Sequence, residues 1–204
     1  MFKLFKKRIN PSKIIKKYYS TQEPAYKILI KHSEQVKEKA LEVAKRVPEL
    51  KPDLKFIEEA AMLHDIGIKF CKAPELGCNG NNPYIAHGDI GRNILVKEGY
   101  PKHARVCERH TGVGITLKEI NKNQLPLQKK DLIPETVEEK IICFADKFYT
   151  KIPEKSSVEL TIPDIKKSLA KHGKDKVKKF EEWLVLFKEV HGKGPTRGTK
   201  QTNP

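Results

Sequence analysis

Apolar residues along this chain fall at spacings of three, four and seven between Pro and Gly breaks, the periodicity of helices with one buried face. Leu4, Phe5, Ile9, Ile14, Ile15 and Tyr18 predict a short basic amphipathic helix interrupted near Pro11. Pro24, well suited to a first turn, opens a clearer helix to about Val47, with Leu29, His32, Val36, Val43 and Val47 on one face. A third helix is predicted from Pro52, with Phe56, Ile57, Ala60, Leu63 and His64 turned inward and Gly67 as its C-cap. Residues 70–83, holding Gly77, Gly80, three Asn and two Pro, read as a loop. Helical patterns resume over about 84–98 and 101–110, Thr111–Gly114 is a turn, and a long linker runs through Pro126 to Pro134. Thr136 and Glu139 have the spacing of a capping box, opening a helix to about Thr150. Helices over about 163–172 and 174–189 follow, the latter carrying Trp183, Leu184 and Phe187. No run of alternating β-branched residues occurs, so the expected fold is all-α.

Charge changes this picture mainly at the ends. The net charge is +15, which by itself would suggest a polyanion partner. Residues 1–20 hold seven Lys/Arg and no acid, and residues 190–204 hold three and none, leaving 31 basic against 26 acidic residues between them. The Lys-rich stretch at 166–179 has no interleaved aromatics to stack bases. Solvated lysine-rich ends are therefore expected rather than a nucleic-acid face. No segment approaches the roughly 18 apolar residues of a membrane span, and the N-terminal stretch lacks the apolar core of a secretory signal. Cys71, Cys78, Cys107 and Cys143 have no close pairing, which points to reduced thiols and a cytoplasmic location.

The histidines and aspartates carry the chemistry. His32 lies on an apolar helix face, where a lone His is ordinarily a hydrogen-bonded core residue. The pair His64-Asp65 at the buried end of an apolar helix changes that, because burying two polar groups without partners costs a few kcal/mol. Asp146 repeats the problem after the apolar run Ile141-Ile-Cys-Phe-Ala. One divalent metal held by His32, His64, Asp65 and Asp146 resolves all four burials together. The other histidines, His103, His172 and His191, read as helical or surface residues, although His103 is placed to support His110 from behind. Cys71 and Cys78 do not have a zinc-finger spacing.

His32, Met62-Leu-His64-Asp65-Ile-Gly67 and Phe144-Ala-Asp146-Lys147 together resemble the H…HD…D signature of the HD-domain (HDIG) metal-dependent phosphohydrolases. The resemblance runs from about His32 to Tyr149 and implies a helical bundle with a metal site between helices. It divides the chain into a basic N-terminal helical segment (1–20), an HD domain (21–151), C-terminal helices packed on it (152–189) and a disordered tail (190–204). In family members with two metals, histidines between HD and the last Asp serve the second ion. The match gives His32, His64 and Asp146 to one ion and His87 and His110 to the other. Asp65 bridges both and is the central catalytic residue. His87 and His110 are also compatible with surface or phosphate-binding roles, which leaves a mononuclear site as the alternative. No thiolate is in the set, so Fe, Mn, Co, Ni and Zn all suit it.

The resemblance further implies hydrolysis of a small phosphorylated substrate (a phosphomonoester, nucleotide or cyclic phosphodiester) by hydroxide generated at the metals. Lys69, Arg92, Arg109 and Lys147 lie near the ligands in sequence and are candidate phosphate anchors. In many HDIG proteins a Lys follows the Gly directly; here Ile68 intervenes. The family's Gly-Tyr-Pro signature is absent after His110, which argues against cyclic di-GMP as substrate. Two other readings stay open: a di-iron oxygenase on the same helices, and a ligand-binding module without catalysis. The oligomeric state is not legible.

Overall fold

The computed structural model describes residues 9–153 and 156–189. Asn10 caps α1 (Pro11–Tyr18), its side chain accepting from Lys13 N at 2.9 Å. Pro11 therefore starts the helix rather than interrupting it. Leu4 and Phe5 lie outside the described residues, as does the tail from Val190. Ile14, Ile15 and Tyr19 pack among Leu29, Leu63, Ile66, Leu95 and Cys107, which ties α1 into the body of the protein. In α2 (Pro24–Arg46) Leu29, His32, Val36 and Val43 are buried, on the face that the periodicity marks.

The third helix departs from expectation. α3 (Leu54–Ala61), capped by Asp53, stops three residues before His64. The chain then tightens into turns with i→i−3 bonds, Leu63 N to Ala60 O and Ile66 N to Leu63 O. This leaves the Ala61 carbonyl to His64 Nδ1, at 2.6 Å. Gly67 is not a left-handed C-cap either, since its φ is −81°. It is glycine because a Cβ there would lie 2.1 Å from the His87 carbonyl oxygen and 2.7 Å from Gly91 N, on the helix that crosses it.

The 70–83 loop contains a two-residue antiparallel pairing, β1 (Lys72–Ala73) with β2 (Cys78–Asn79), the only sheet among the described residues. α4 (His87–Lys97) and α5 (Pro101–Arg109) form the expected helix pair. The linker after Gly114 holds an unforeseen short helix, α6 (Leu117–Lys122), opened by a reciprocal capping box between Thr116 and Glu119. Thr136 makes only half of the box expected of it. It caps Glu139 N, but the Glu139 carboxylate turns to Glu135 N and to Arg105 and Arg109. α7 (Val137–Asp146) ends on Asp146, short of Thr150. α8 (Ile162–Ala170) and α9 (Lys174–Leu186) send Ile165, Leu169, Phe180 and Trp183 into one core with Val36, Ile57, Ile142, Phe144 and Phe148. The fold is all-α. No described helix is long and apolar enough to cross a membrane.

Candidate metal centre

Five elements deliver the ligand candidates to one place. His32 comes from the middle of α2, His64 and Asp65 from the turns after α3, and Asp146 from the last residue of α7. His87 opens α4 and His110 closes α5. All six are buried. One potential donor atom from each of His32, His64, Asp65 and Asp146 lies within 4.8 Å of the others, and the same holds for Asp65, His87 and His110. Asp65 belongs to both groups through different oxygens. Its Oδ2 is 3.3 Å from His32 Nε2 and 3.1 Å from His64 Nε2, while its Oδ1 is 3.4 Å from His87 Nε2 and 3.3 Å from His110 Nε2. Asp146 Oδ1 closes the first group at 2.9 Å from His32 Nε2.

Local backbone sets the tautomers. The Nδ1 atoms of His64, His87 and His110 each donate to the carbonyl three residues back, Ala61, Tyr84 and Cys107, at 2.6, 2.7 and 2.7 Å. With the proton on Nδ1, each Nε2 presents a lone pair to the cluster, the form in which imidazole binds a metal. The Nε2 atoms of His87 and His110 then face each other at 3.0 Å. Two facing lone pairs repel unless a cation lies against them. A proton is disfavoured there, because burial pushes His87 down to about 3 and lowers His110 as well. His64 Nε2 and Asp65 Oδ1 are buried without a hydrogen bond despite these close neighbours, and Asp65 Oδ2 has the Lys151 ammonium beside it. Orphaned lone pairs on buried imidazole and carboxylate are a donor set that fits divalent metal.

The remaining charges complete the picture. Burial works against ionising Asp65, yet Lys151 and His64 outweigh it and hold its carboxyl well below the usual range. Lys147 and Lys151 do the same for Asp146. Burial would also lower His64, but without an ion Asp65 and Asp146 raise it to about 9, so an ion at this site would displace the proton from its Nε2. Lys151 is the residue that the sequence reading missed. Its Nζ lies 2.7 Å from Asp65 Oδ2, with the Tyr84 hydroxyl also bonded to it. Both residues line a cavity of about 370 Å³ with Asp146, Lys147, Thr150 and Leu160. No periodic pattern marks Lys151, which lies beyond the end of α7.

Of the four candidate anchors, only Lys147 is at the centre, 2.8 Å from Asp146 Oδ2. Lys69 is turned away: the buried Ile68 takes the place after Gly67, and Lys69 Nζ pairs with Glu23 and the Tyr18 carbonyl. Arg92 and Arg109 instead neutralise Glu108, with Arg109 also pairing to Glu139; these two carboxylates are buried and could not stay ionised alone. His103 does not support His110. It packs against Phe56 and Tyr100, with Glu59 at 3.4 Å.

Burial lowers His103 to about 4. The unfolded chain, with an ordinary histidine near 6.5, therefore takes up the proton first. This contribution to stability is lost as pH falls from about 6.5 towards 4. His103→Gln should flatten the melting temperature against pH in that window, measured on metal-free protein. An unchanged slope would assign the acid sensitivity to other groups.

The HD domain family profile matches residues 29–151. The chain belongs to the HD domain family. Similar proteins include two named tRNA (cytidine(56)-2'-O)-methyltransferase. That of Picrophilus torridus is 38% identical over 125 residues, 61% of this chain and 32% of that protein. That of Thermoplasma volcanium is 27% identical over 157 residues, 76% of this chain and 41% of that protein. An uncharacterized protein of Methanocaldococcus jannaschii is 34% identical over 121 residues, 58% of this chain and 64% of that protein. The aligned part of this HD chain thus spans a third to two-fifths of the two methyltransferase-named relatives. No solved structure matches. The HD domain is a metal-dependent hydrolase type of fold, and the buried His/Asp cluster is compatible with divalent metal.

Proposed function

We propose that this HD protein is a metal-dependent phosphohydrolase acting on small phosphorylated compounds. The observation that carries the reading is Asp65, whose two buried oxygens each face a different set of histidine nitrogens. His32, His64, Asp146 and Asp65 Oδ2 would hold one ion, and His87, His110 and Asp65 Oδ1 the other. Divalent ions held there would supply Lewis acidity towards a phosphoryl oxygen and lower the pKa of bound water.

The protein's own groups do the rest. The Ala61, Tyr84 and Cys107 carbonyls keep three imidazoles aimed, so the donors need no reorganisation when charge builds up on phosphorus. Lys147 and Lys151, paired with Asp146 and Asp65, also line the 370 Å³ cavity, where their ammonium groups suit the non-bridging oxygens of a phosphate. Leu76, Tyr84 and Leu160 line the same cavity and suit the less polar remainder of an ester. Nucleotides, other phosphomonoesters and cyclic phosphodiesters all meet these requirements.

The names of the two methyltransferase relatives bring a second reading of the substrate, tRNA or its fragments. About two-thirds of the Picrophilus protein lies outside the aligned region, so its name does not carry methyl transfer to this chain.

The test is turnover by protein loaded with Mn, Fe, Co, Ni or Zn. The panel comprises phosphomonoesters, nucleotides, cyclic diesters and tRNA. Hydrolysis that a chelator abolishes and added metal restores is expected. Inactivity on every ester with every metal would overturn the reading. Oxygen uptake by the iron form with an organic diol or phosphonate would replace it with the oxygenase.

A further inference from the structure

A second cavity, of about 200 Å³, opens between α2 and the segment that follows α7. Lys27, Lys31, His32, Lys151 and Ser156 line it, and among the described residues no carboxylate does. Lys27 and Lys31 are one helical turn apart and so share a face of α2. Lys31 Nζ donates to the neutral Ser156 and Ser157 hydroxyls, at 3.0 and 2.8 Å. Neither Lys27 nor Lys31 forms an ion pair among the described residues.

His32 supplies an independent sign. It is 1% exposed, and its Nδ1 has no hydrogen-bond partner. The other three histidines of the centre give that proton to a carbonyl three residues back. His32 sits inside α2, where the backbone carbonyls are taken up by the helix ladder, so this route is closed to it. Its Nδ1 is therefore a buried polar atom without a partner among the described residues, on a residue that lines this cavity.

Lys151 is a wall shared by this cavity and the 370 Å³ cavity that holds Lys147. Lys147 and Lys151 are paired with Asp146 and Asp65, whereas Lys27 and Lys31, on the other side of Lys151, have no carboxylate partner among the described residues. We propose that the cavity lined by Lys27, Lys31, His32 and Lys151 is an anion subsite for a second phosphate group, so that the substrate carries at least two. A nucleoside di- or triphosphate and a dinucleotide polyphosphate belong to that class. Calling the ligand a substrate rests on the hydrolase reading; the subsite itself does not.

The experiment uses metal-loaded full-length protein and two probes, inorganic phosphate and inorganic tripolyphosphate. Their affinities are measured by calorimetry at about 0.15 M ionic strength, where charges beyond about 8 Å are screened. Wild type should bind tripolyphosphate at least ~10-fold more tightly than phosphate, about 1.4 kcal/mol. Lys27→Ala/Lys31→Ala should lose that preference, with phosphate affinity within about twofold of wild type and metal content and melting temperature unchanged. Lys118→Ala/Lys122→Ala, a pair with the same spacing on α6, should keep the preference. Equal affinities in wild type would overturn the subsite, as would a preference retained by the first variant. Equal loss in the α6 control would overturn it too, by assigning the effect to general charge. Because binding is read without turnover, inactivity on every phosphoester would retire the hydrolase and leave the subsite standing.

Discussion

Asp65→Ala is expected to empty the centre of metal and to lower turnover on the best phosphoester by on the order of a thousandfold or more. The effect should exceed that of any single histidine, because Asp65 alone belongs to both ligand groups. Its carboxylate is the negative charge between the two cation positions, and without it two dications would face each other uncompensated. His87→Ala or His110→Ala removes a donor only from the second group. Each should cost one ion per chain and spare the other, since His32, His64, Asp65 and Asp146 still form a complete mononuclear set. Metal analysis beside turnover separates the cases. Full metal content and full activity in both histidine variants would make the centre mononuclear.

Gly67→Ala should be the most destabilising methyl that can be added to this protein near the centre. The new Cβ would lie 2.1 Å from the His87 carbonyl oxygen and 2.7 Å from Gly91 N, and both obstacles are backbone. Neither can rotate aside as a flexible side chain would, so the turn and α4 must separate. The expected cost is about 3 kcal/mol or more, a drop of roughly 10 °C in melting temperature for a chain of this size. Separation also carries His87 away from Asp65 Oδ1, now 3.4 Å distant, so the second ion should be lost along with stability. A variant that melts within a degree or two of wild type would mean that α4 has slack the structure does not show.

The parts of this protein legible in its sequence were those written in burial. The apolar spacing of α2 marks the face that is buried, and His64, Asp65 and Asp146 stand out because each interrupts an apolar run. The end of α3 was not legible, because a local bond from His64 Nδ1 to Ala61 O, not loss of periodicity, ends that helix. α6 escaped because it buries a single residue, Ile120, although Thr116 and Glu119 carry its capping signal in plain view. Of the candidate anchors, Lys147 lies at the centre, and two others are held elsewhere for a different reason. Arg92 and Arg109 are near the ligands in sequence, but the buried Glu108 and Glu139 claim them. Lys151 reaches Asp65 across a non-helical segment, where spacing carries no information about direction.

The two ligand groups draw on very different lengths of chain. His32 and Asp146 are 114 residues apart, whereas His87 and His110 are 23 apart, on consecutive helices. Closing the longer span costs more entropy and depends on α7 docking against α2. The Asp65–His87–His110 group needs only the stretch from the HD turn to the end of α5. During synthesis from the N-terminus, all three residues of that group are made before Asp146, which the other group requires. The two halves of the centre therefore differ in the length of chain each must close, short for the local one and long for the one that Asp146 completes.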